Sequence, residues 1–139
     1  MGTRDHSSGF EELSVSECQE LLQAKSVGRV GVCTSEGPQI LPVNYAVVEG
    51  DVVFRTTSDG PLASYASDQV VAFEIDEADE FLQSGWSVLM VGTAHLVDES
   101  SELKELLDWG GPQPWAPGNR TTVVRVAPTR LTGRRVHLV

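Results

Sequence analysis

The chain has 139 residues, a formal net charge of −10 and two cysteines. The excess of acidic residues argues against a nucleic-acid partner, because contacts from Lys and Arg to phosphates dominate such binding. No stretch approaches the ~20 apolar residues that cross a membrane as a helix, and two cysteines are too few for a disulfide framework.

The first ten residues are polar and have few apolar side chains to anchor them. We therefore predict a disordered segment over residues 1–10, followed by a single domain over residues 11–139. The segment lacks the apolar centre of a secretory signal, so we expect a cytoplasmic protein. Cys18 and Cys33 lack the spacing of a redox pair, and we interpret both as buried thiols.

A helix start follows at Ser14, whose side chain can cap the first turn while Glu17 returns a bond to the backbone of Ser14. The predicted helix ends near Lys25 and has Cys18, Leu21 and Leu22 on its apolar face.

From residue 27 the apolar period changes to two, and the segments become short, β-branched and separated by turn residues. This pattern predicts an antiparallel barrel or sandwich with few helices. The predicted strands cover residues 27–34, 39–48, 51–57, 70–76, 85–97, 121–127 and 131–139. We also predict short helices over residues 61–65 and 98–107, and a loop over residues 112–118.

Two of these strands differ in the faces that they bury. In residues 70–76, the apolar side chains of Phe73 and Ile75 share one face and the acidic Glu74 and Asp76 the other, so one side should be wet. Residues 85–97 have no clearly polar face over their central part. We therefore predict that one face of this strand meets a second subunit in a homodimer.

The run from Leu41 to Tyr45 interrupts an apolar strand with Pro42 and two polar groups. Proline cannot donate to a sheet ladder, so such a strand lies at an edge or bulges. Its free backbone groups could face a flat cofactor, or the run could be a plain barrel strand with a bulge.

The charges are unevenly placed along the chain. After Asp108 there are no acidic residues, and the tail carries five arginines: Arg120, Arg125, Arg130, Arg134 and Arg135. These arginines could form a local phosphate site, or they could pair with acidic neighbours and solvent.

Further catalytic chemistry has little support in the sequence. His6, His95 and His137 are far apart and suggest neither a metal triad nor a nucleophile with its base. The Gly-rich stretches lack the spacing of a phosphate-binding loop or a dinucleotide fold. We predict no metal site and no catalytic side chain.

Several segments, in the same order over nearly the whole chain, resemble the pyridoxamine 5'-phosphate oxidase-like family of flavin-binding split barrels. The segments that carry the resemblance are GRVGV (28–32), LPVNY (41–45), FRT (54–56), VAFEID (71–76), GWSV (85–88) and WAPG (115–118). The resemblance implies a mainly β fold, a six-stranded antiparallel split β-barrel with a few short helices, that binds FMN between the subunits of a homodimer.

The resemblance also implies a set of cofactor-binding residues. Four would run beside the isoalloxazine ring: Pro42, Val43, Asn44 and Tyr45. Four more would lie near the ribityl phosphate: Arg55, Thr56, Thr57 and Ser58. Trp86 and Ser87 would approach from the fifth strand, of the same subunit or of its partner. Such a site has the cation, hydroxyls and apolar walls that a flavin phosphate and ring require.

One position departs from the family pattern. Relatives commonly carry Lys just before the Leu that opens the short helix, whereas this chain has Pro61 before Leu62, and Asp59 adds an opposing charge. Losing one charge-assisted bond should weaken phosphate binding by ~1.5 to 3 kcal/mol, about ten- to a hundred-fold. Arg55 could also pair with Glu74 or Asp76 on a neighbouring strand instead of a ligand.

These observations predict an FMN-dependent oxidoreductase that passes electrons between a reduced donor and a small-molecule substrate. A second hypothesis is a deazaflavin-dependent reductase of the same fold, whose longer anionic tail could use Arg120 or Arg125. A third is a non-catalytic barrel that binds a flavin or another flat ligand, and a fourth is an empty barrel that functions through its dimer surface. The sequence specifies neither the substrate nor the electron donor.

Overall fold

The structure is a computed structural model, and it describes residues 9–97, 104–105 and 122–137. The described residues form two complete helices, seven strands and a helical pair, Lys104 and Glu105. The helices are α1 (Val15–Ala24) and α2 (Pro61–Ala66). The strands are β1 (Phe10–Glu12), β2 (Val27–Thr34), β3 (Gly37–Val48), β4 (Asp51–Thr56), β5 (Val70–Asp79), β6 (Ser84–Leu96) and β7 (Thr122–Val136).

The strands form one antiparallel sheet in the order β1-β7-β4-β3-β2-β5-β6. The sheet closes on itself because β6 also pairs with β7, which gives a barrel of six strands with β1 added on the outside of β7. This topology confirms the predicted fold class, a mainly β antiparallel split barrel with a few short helices. The short strand β1 is an addition that the sequence did not indicate.

Local signals predicted α1 and α2 well. Ser14 caps α1 by accepting a hydrogen bond from the Glu17 N–H at 3.1 Å, and Glu17 accepts one from the Ser14 N–H at 3.0 Å. This reciprocal pair satisfies two N–H groups that a helix start leaves without partners. Cys18 and Leu22 pack into the core, and α2 begins at Pro61 as predicted.

The barrel interior is filled by alternate residues of the strands. On β5, Val71, Phe73 and Ile75 are buried, while Glu74 and Asp76 lie on the outer face, as predicted. Cys33 contradicts the sequence analysis, because it is exposed whereas Cys18 is buried. Cys33 follows the buried Val32 on β2, so alternation along the strand turns its side chain to the outer face of the sheet beside the turn into β3.

The last strand was wrongly predicted as two strands joined at Pro128. β7 runs unbroken from Thr122 to Val136, and its pairing with β6 shifts at a bulge, so that Val91 faces Arg130 and Gly92 faces Pro128. The extra residue is Thr129, directly after Pro128, and a proline is tolerated there because a bulge locally disrupts the ladder. The backbone of Ala127 approaches Gly92 so closely that a Cβ at Gly92 would collide with it.

Some predictions lie outside the described residues. These are most of the disordered segment 1–10, nearly all of the helix over 98–107, the loop over 112–118 and the position of Arg120. Phe10, the last residue of the first segment, lies in β1 and pairs with Val136. No helix in the described part of the chain is long and apolar enough to cross a membrane.

Candidate functional site

A cavity of about 260 Å³ lies where β3, the end of β4 and the start of α2 meet. Its lining includes six of the ten predicted cofactor-binding residues. These six are Pro42, Val43, Asn44, Arg55, Thr56 and Thr57. Four further residues line the same cavity: Leu41, Gly60, Pro61 and Leu62.

The cavity forms because β3 and β4 separate. The two strands pair from Val48 and Asp51 to Tyr45 and Phe54, and their described pairing ends there. Beyond that point β4 continues along β7, with Arg55 facing Val123, whereas β3 continues along β2, with Pro42 facing Arg29. This separation leaves β3 with one open edge at Pro42, which confirms the expectation that the proline lies at a strand edge.

The turn from Thr57 to Gly60 forms the end of the cavity next to α2. The Gly60 N–H donates to the Thr57 carbonyl at 3.3 Å, and the Ser64 N–H donates to the Gly60 carbonyl at 3.3 Å. Gly60 packs so closely that a Cβ there would lie 2.8 Å from the Thr57 hydroxyl oxygen. The turn therefore requires glycine at this position to leave the Thr57 hydroxyl where it is.

The lining combines one cation, two hydroxyls and an apolar surface. Arg55 provides the guanidinium group, Thr56 and Thr57 provide hydroxyls, and the described lining contains no carboxylate. Pro42, Val43 and Leu62 contribute apolar contacts. An arginine beside hydroxyls is suited to a phosphate or carboxylate, and the adjacent apolar surface is suited to the flat body of an aromatic ligand.

Tyr45 is placed differently from its neighbours in the motif. Its side chain is 4% exposed, and its hydroxyl donates to the Leu22 carbonyl of α1 at 2.5 Å. Its ring packs edge-on against Phe73, with 4.8 Å between the centroids. Burial raises the pKa of the Tyr45 phenol well above its ordinary value. The side chain of Tyr45 therefore points into the core rather than into the cavity.

The remaining three predicted residues also lie outside the cavity lining. Ser58 is in the turn after β4 and does not line the cavity. Trp86 and Ser87 are on β6, beside a different, open cleft that they share with Arg134. Lys25 lies over the Trp86 ring, 5.7 Å from its centroid. One subunit alone does not bring Trp86 and Ser87 to the cavity.

Glu74 and Asp76 pair with Arg29. The Arg29 guanidinium lies 2.7 Å from the Glu74 carboxylate and 2.5 Å from the Asp76 carboxylate on the outer face of β2 and β5. Partial burial, together with the neighbouring Asp76, raises the pKa of Glu74. The hydrogen bond from Arg29 lowers the pKa of Asp76 despite some burial. The carboxylates that could have attracted Arg55 are thus held by another arginine.

Two of the tail arginines pair with acidic residues. Arg125 is held by Asp51 at 2.7 Å and also donates to the Val48 carbonyl at 3.4 Å. Arg135 lies 3.9 Å from Glu17. These contacts favour the interpretation that the tail charges face acidic neighbours, at least at these two positions. Across the described residues, no group of three or more His, Cys, Asp or Glu side chains is placed to hold a metal ion.

Four lining residues are additions to the predicted set. Leu41 belongs to the same motif as Pro42, and alternation along the strand could have included it, because Leu41 and Val43 share a face. Gly60, Pro61 and Leu62 come from the turn and helix start after β4, whose approach to β3 depends on tertiary packing.

The fold agrees with a comparison of the whole sequence. The sequence profile of the family described as pyridoxamine 5'-phosphate oxidase matches residues 14–135, and the chain belongs to this family. The family assignment and the split barrel confirm the resemblance seen in the sequence.

Individual relatives are similar over most of their length. "Uncharacterized protein Rv0080" of Mycobacterium tuberculosis is 34% identical over 133 residues, which cover 90% of this chain and 84% of the relative. The structure of an FAD-binding protein from Mycobacterium smegmatis is 34% identical, with a TM-score of 0.76 and coverage of 91% of this chain and 98% of that one. A Corynebacterium glutamicum protein provisionally named after the same oxidase is also 34% identical, with a TM-score of 0.80 and coverage of 94% and 95%.

Proposed function

We propose that this protein binds a flavin nucleotide in the cavity between β3, β4 and α2 and acts as a flavin-dependent oxidoreductase. The observation that carries the proposal is the meeting of Arg55, Thr56 and Thr57 with the open edge of β3 in one cavity. The M. smegmatis relative, named as an FAD-binding protein, supports a flavin as the ligand.

The residues of the cavity fit the two ends of a flavin. Arg55 and the two threonine hydroxyls would hold the phosphate, since charge-assisted hydrogen bonds are the strong ones. Pro42 and Val43 would lie against the ring, and the open edge of β3 would leave backbone groups for its polar rim. A bound flavin would supply the redox chemistry, while the protein orients it and sets its electrostatic surroundings.

The proposal includes a homodimer because the cavity of one subunit is small. At about 260 Å³ it falls below the ~300 to 1,000 Å³ typical of sites for ligands of this size. A second subunit would add the missing wall, and Trp86 and Ser87 could reach the flavin from that subunit.

An apolar strip on the outer face of the barrel supports this arrangement. The strip crosses four neighbouring strands through three directly paired positions: Ile40 with Gly31, Gly31 with Ala72, and Ala72 with Val91. Ile40 is 74% exposed in the single chain. The strip is adjacent to Pro42 in the cavity lining, so covering it with a second subunit would also cover the cavity.

FMN and FAD share the ring, the ribityl chain and the first phosphate, so Arg55 would serve either. FMN is the predicted ligand, and the M. smegmatis relative favours FAD as a second candidate. In our proposal the bound flavin passes electrons from a reduced donor to a small acceptor. This electron transfer requires no acidic or basic side chain of the described lining other than Arg55.

The test is a titration of the purified full chain with FMN, FAD and a deazaflavin coenzyme, with the fluorescence of each ligand as the measure of binding. We expect saturable binding of FMN or FAD, with a flavin absorption spectrum that NADH or NADPH bleaches without oxygen. Binding of the deazaflavin alone would replace the flavin in the proposal. Failure of all three to bind would refute the proposal, and binding without bleaching by any donor would refute the oxidoreductase activity.

A further inference from the structure

A second and larger cavity lies at a different place on the barrel, beside α1. It has a volume of about 470 Å³, within the ~300 to 1,000 Å³ of typical ligand sites. It is an open cleft lined by α1, the turn between β3 and β4, and the bulge of β7. It shares no lining residue with the cavity of Arg55.

The floor of this second cavity is apolar. Leu22 and Met90 are almost completely buried beneath it, and Val47 and Leu131 pack against the same core. Such a floor favours the apolar body of an organic molecule over a bare inorganic ion.

Specific contacts hold the two walls in place. Arg125 fixes the turn between β3 and β4 through Asp51 at 2.7 Å and the Val48 carbonyl at 3.4 Å. On the opposite side, the Thr129 hydroxyl donates to the Val91 carbonyl at 3.0 Å and fixes the bulge. The cavity is therefore bordered by ordered elements.

The rim of the second cavity is polar and carries a positive charge. Gln19 and Gln23 lie one turn apart on α1, and both are exposed. Arg130 is the charged residue in the described lining, and no carboxylate lines the cavity there. The register at the bulge pairs Arg130 with Val91 on the outer face of the sheet, so Arg130 belongs to the rim of the cavity and not to its floor. In a chain with a net charge of −10, a cation over an apolar floor favours an anionic ligand.

We propose that this second cavity binds a small organic carboxylate, with the apolar body on the floor of Leu22 and Met90 and the carboxylate at Arg130. The two glutamine amides would donate to the remaining carboxylate oxygen lone pairs. The proposal is independent of flavin binding, because neither Arg55 nor any other lining residue of the first cavity takes part.

Arg130 also borders a neighbouring groove on the outer face of β6 and β7, which contains Arg134, Glu74 and Glu12. An anion could be attracted to either side of Arg130. Two variants separate these locations: Gln19→Phe obstructs the second cavity but not the groove, and Arg134→Gln removes a charge from the groove but not from the second cavity.

The probes are sodium phenylacetate and its neutral analogue 2-phenylacetamide, which share a ring and differ in charge. Saturation-transfer NMR on the full chain, with and without flavin, gives both affinities. We expect phenylacetate to bind with a Kd of about 1 to 10 mM, as suits about ten heavy atoms. The amide should bind about tenfold more weakly, because it lacks the charge-assisted bond.

Arg130→Gln should weaken the binding of phenylacetate about ten-fold or more, so that its affinity equals that of the amide. Gln19→Phe should weaken both probes, while Arg134→Gln should leave both unchanged, with circular dichroism confirming that each variant is folded. Equal binding of acid and amide would overturn the proposal, as would no binding of phenylacetate up to about 50 mM. If phenylacetate binding is lost in Arg134→Gln but kept in Gln19→Phe, the anion binds in the groove, and this result would also overturn the proposal.

Discussion

The Tyr45 hydroxyl donates to the Leu22 carbonyl at 2.5 Å and ties the barrel to the last turn of α1. Carbonyls in the last turn of a helix have no partner within the helix, so this phenol satisfies a buried acceptor. The contact assigns the side chain of Tyr45 to the fold, although its backbone follows the residues that line the cavity.

Tyr45→Phe should lower the free energy of unfolding by about 1 to 3 kcal/mol, because it leaves the Leu22 carbonyl buried without its donor. Denaturant unfolding measures this change. Flavin affinity, measured by fluorescence titration, should stay within about twofold of wild type, because the hydroxyl points away from the cavity. A large loss of affinity with unchanged stability would instead show that Tyr45 contacts the ligand.

Arg55→Ala should weaken flavin binding by about ten- to a hundred-fold, the loss of one charge-assisted contact to a phosphate. Arg55→Lys keeps the positive charge but cannot bind a phosphate in a bidentate manner, so its flavin affinity should fall between those of wild type and Arg55→Ala. Lys104→Ala is the control, since this exposed cation lines neither the cavity nor the cleft of Trp86 and Ser87. Equal affinity in Arg55→Ala and wild type would move the phosphate site elsewhere.

Pro61→Lys should tighten flavin binding about ten- to a hundred-fold if a second cation near the phosphate is what this chain lacks. Pro61 lines the cavity at the first position of α2, so a lysine there starts beside the proposed phosphate position. Pro61→Ala separates the loss of proline from the gain of charge and should leave the affinity nearly unchanged. Equal flavin affinities in Pro61→Lys and Pro61→Ala would contradict this explanation.

Ala72→Glu should convert the proposed dimer to a monomer, because it places a charge in the middle of the apolar strip. Sedimentation equilibrium measures the mass, and the same variant should lose flavin affinity because the second wall of the site is lost. Ser16→Glu, on the exposed face of α1, is the control and should remain dimeric. A wild-type protein that is monomeric at all concentrations would contradict the dimer directly.

The carboxylates paired with Arg29 predict opposite effects of pH. Because the pKa of Glu74 is raised in the folded protein, its contribution to stability declines as pH rises from about 4.3, the ordinary Glu value, through the raised value. Because the pKa of Asp76 is lowered, its contribution is complete above about 3.9 and is lost as pH falls below that value.

Asp76→Asn should lower the pKa of Glu74, because it removes a negative neighbour while leaving Arg29 in place. Carbon-detected NMR of the Glu74 carboxyl gives this midpoint directly. Asp59→Asn, in the turn before α2, should leave it unchanged. An unchanged or higher Glu74 midpoint in Asp76→Asn would show that burial alone accounts for its shift.

The sequence predicted what depends on neighbours along the chain. The capping pair of Ser14 and Glu17 and the alternation of Phe73 with Glu74 are local patterns, and both were confirmed. The strand break predicted at Pro128 was wrong because the cause of the bulge lies in another strand, where Gly92 has no Cβ to prevent the approach of Ala127.

The sequence predicted the candidate site about as well as it predicted the fold. The motifs identified six residues of the cavity, and the alternation of a strand explains why Pro42 and Tyr45 point differently. The pairing of Arg29 with Glu74, 45 positions apart, requires the sheet register and could not be read from spacing.

The strand that closes the barrel is the last described one along the chain. β7 pairs with β4, β6 and β1, so until it is synthesised β4 and β6 each present an unpaired edge. A nascent chain on the ribosome therefore carries two unpaired strand edges until β7 has emerged, and a premature stop before Thr122 would yield an aggregation-prone product rather than a smaller stable barrel.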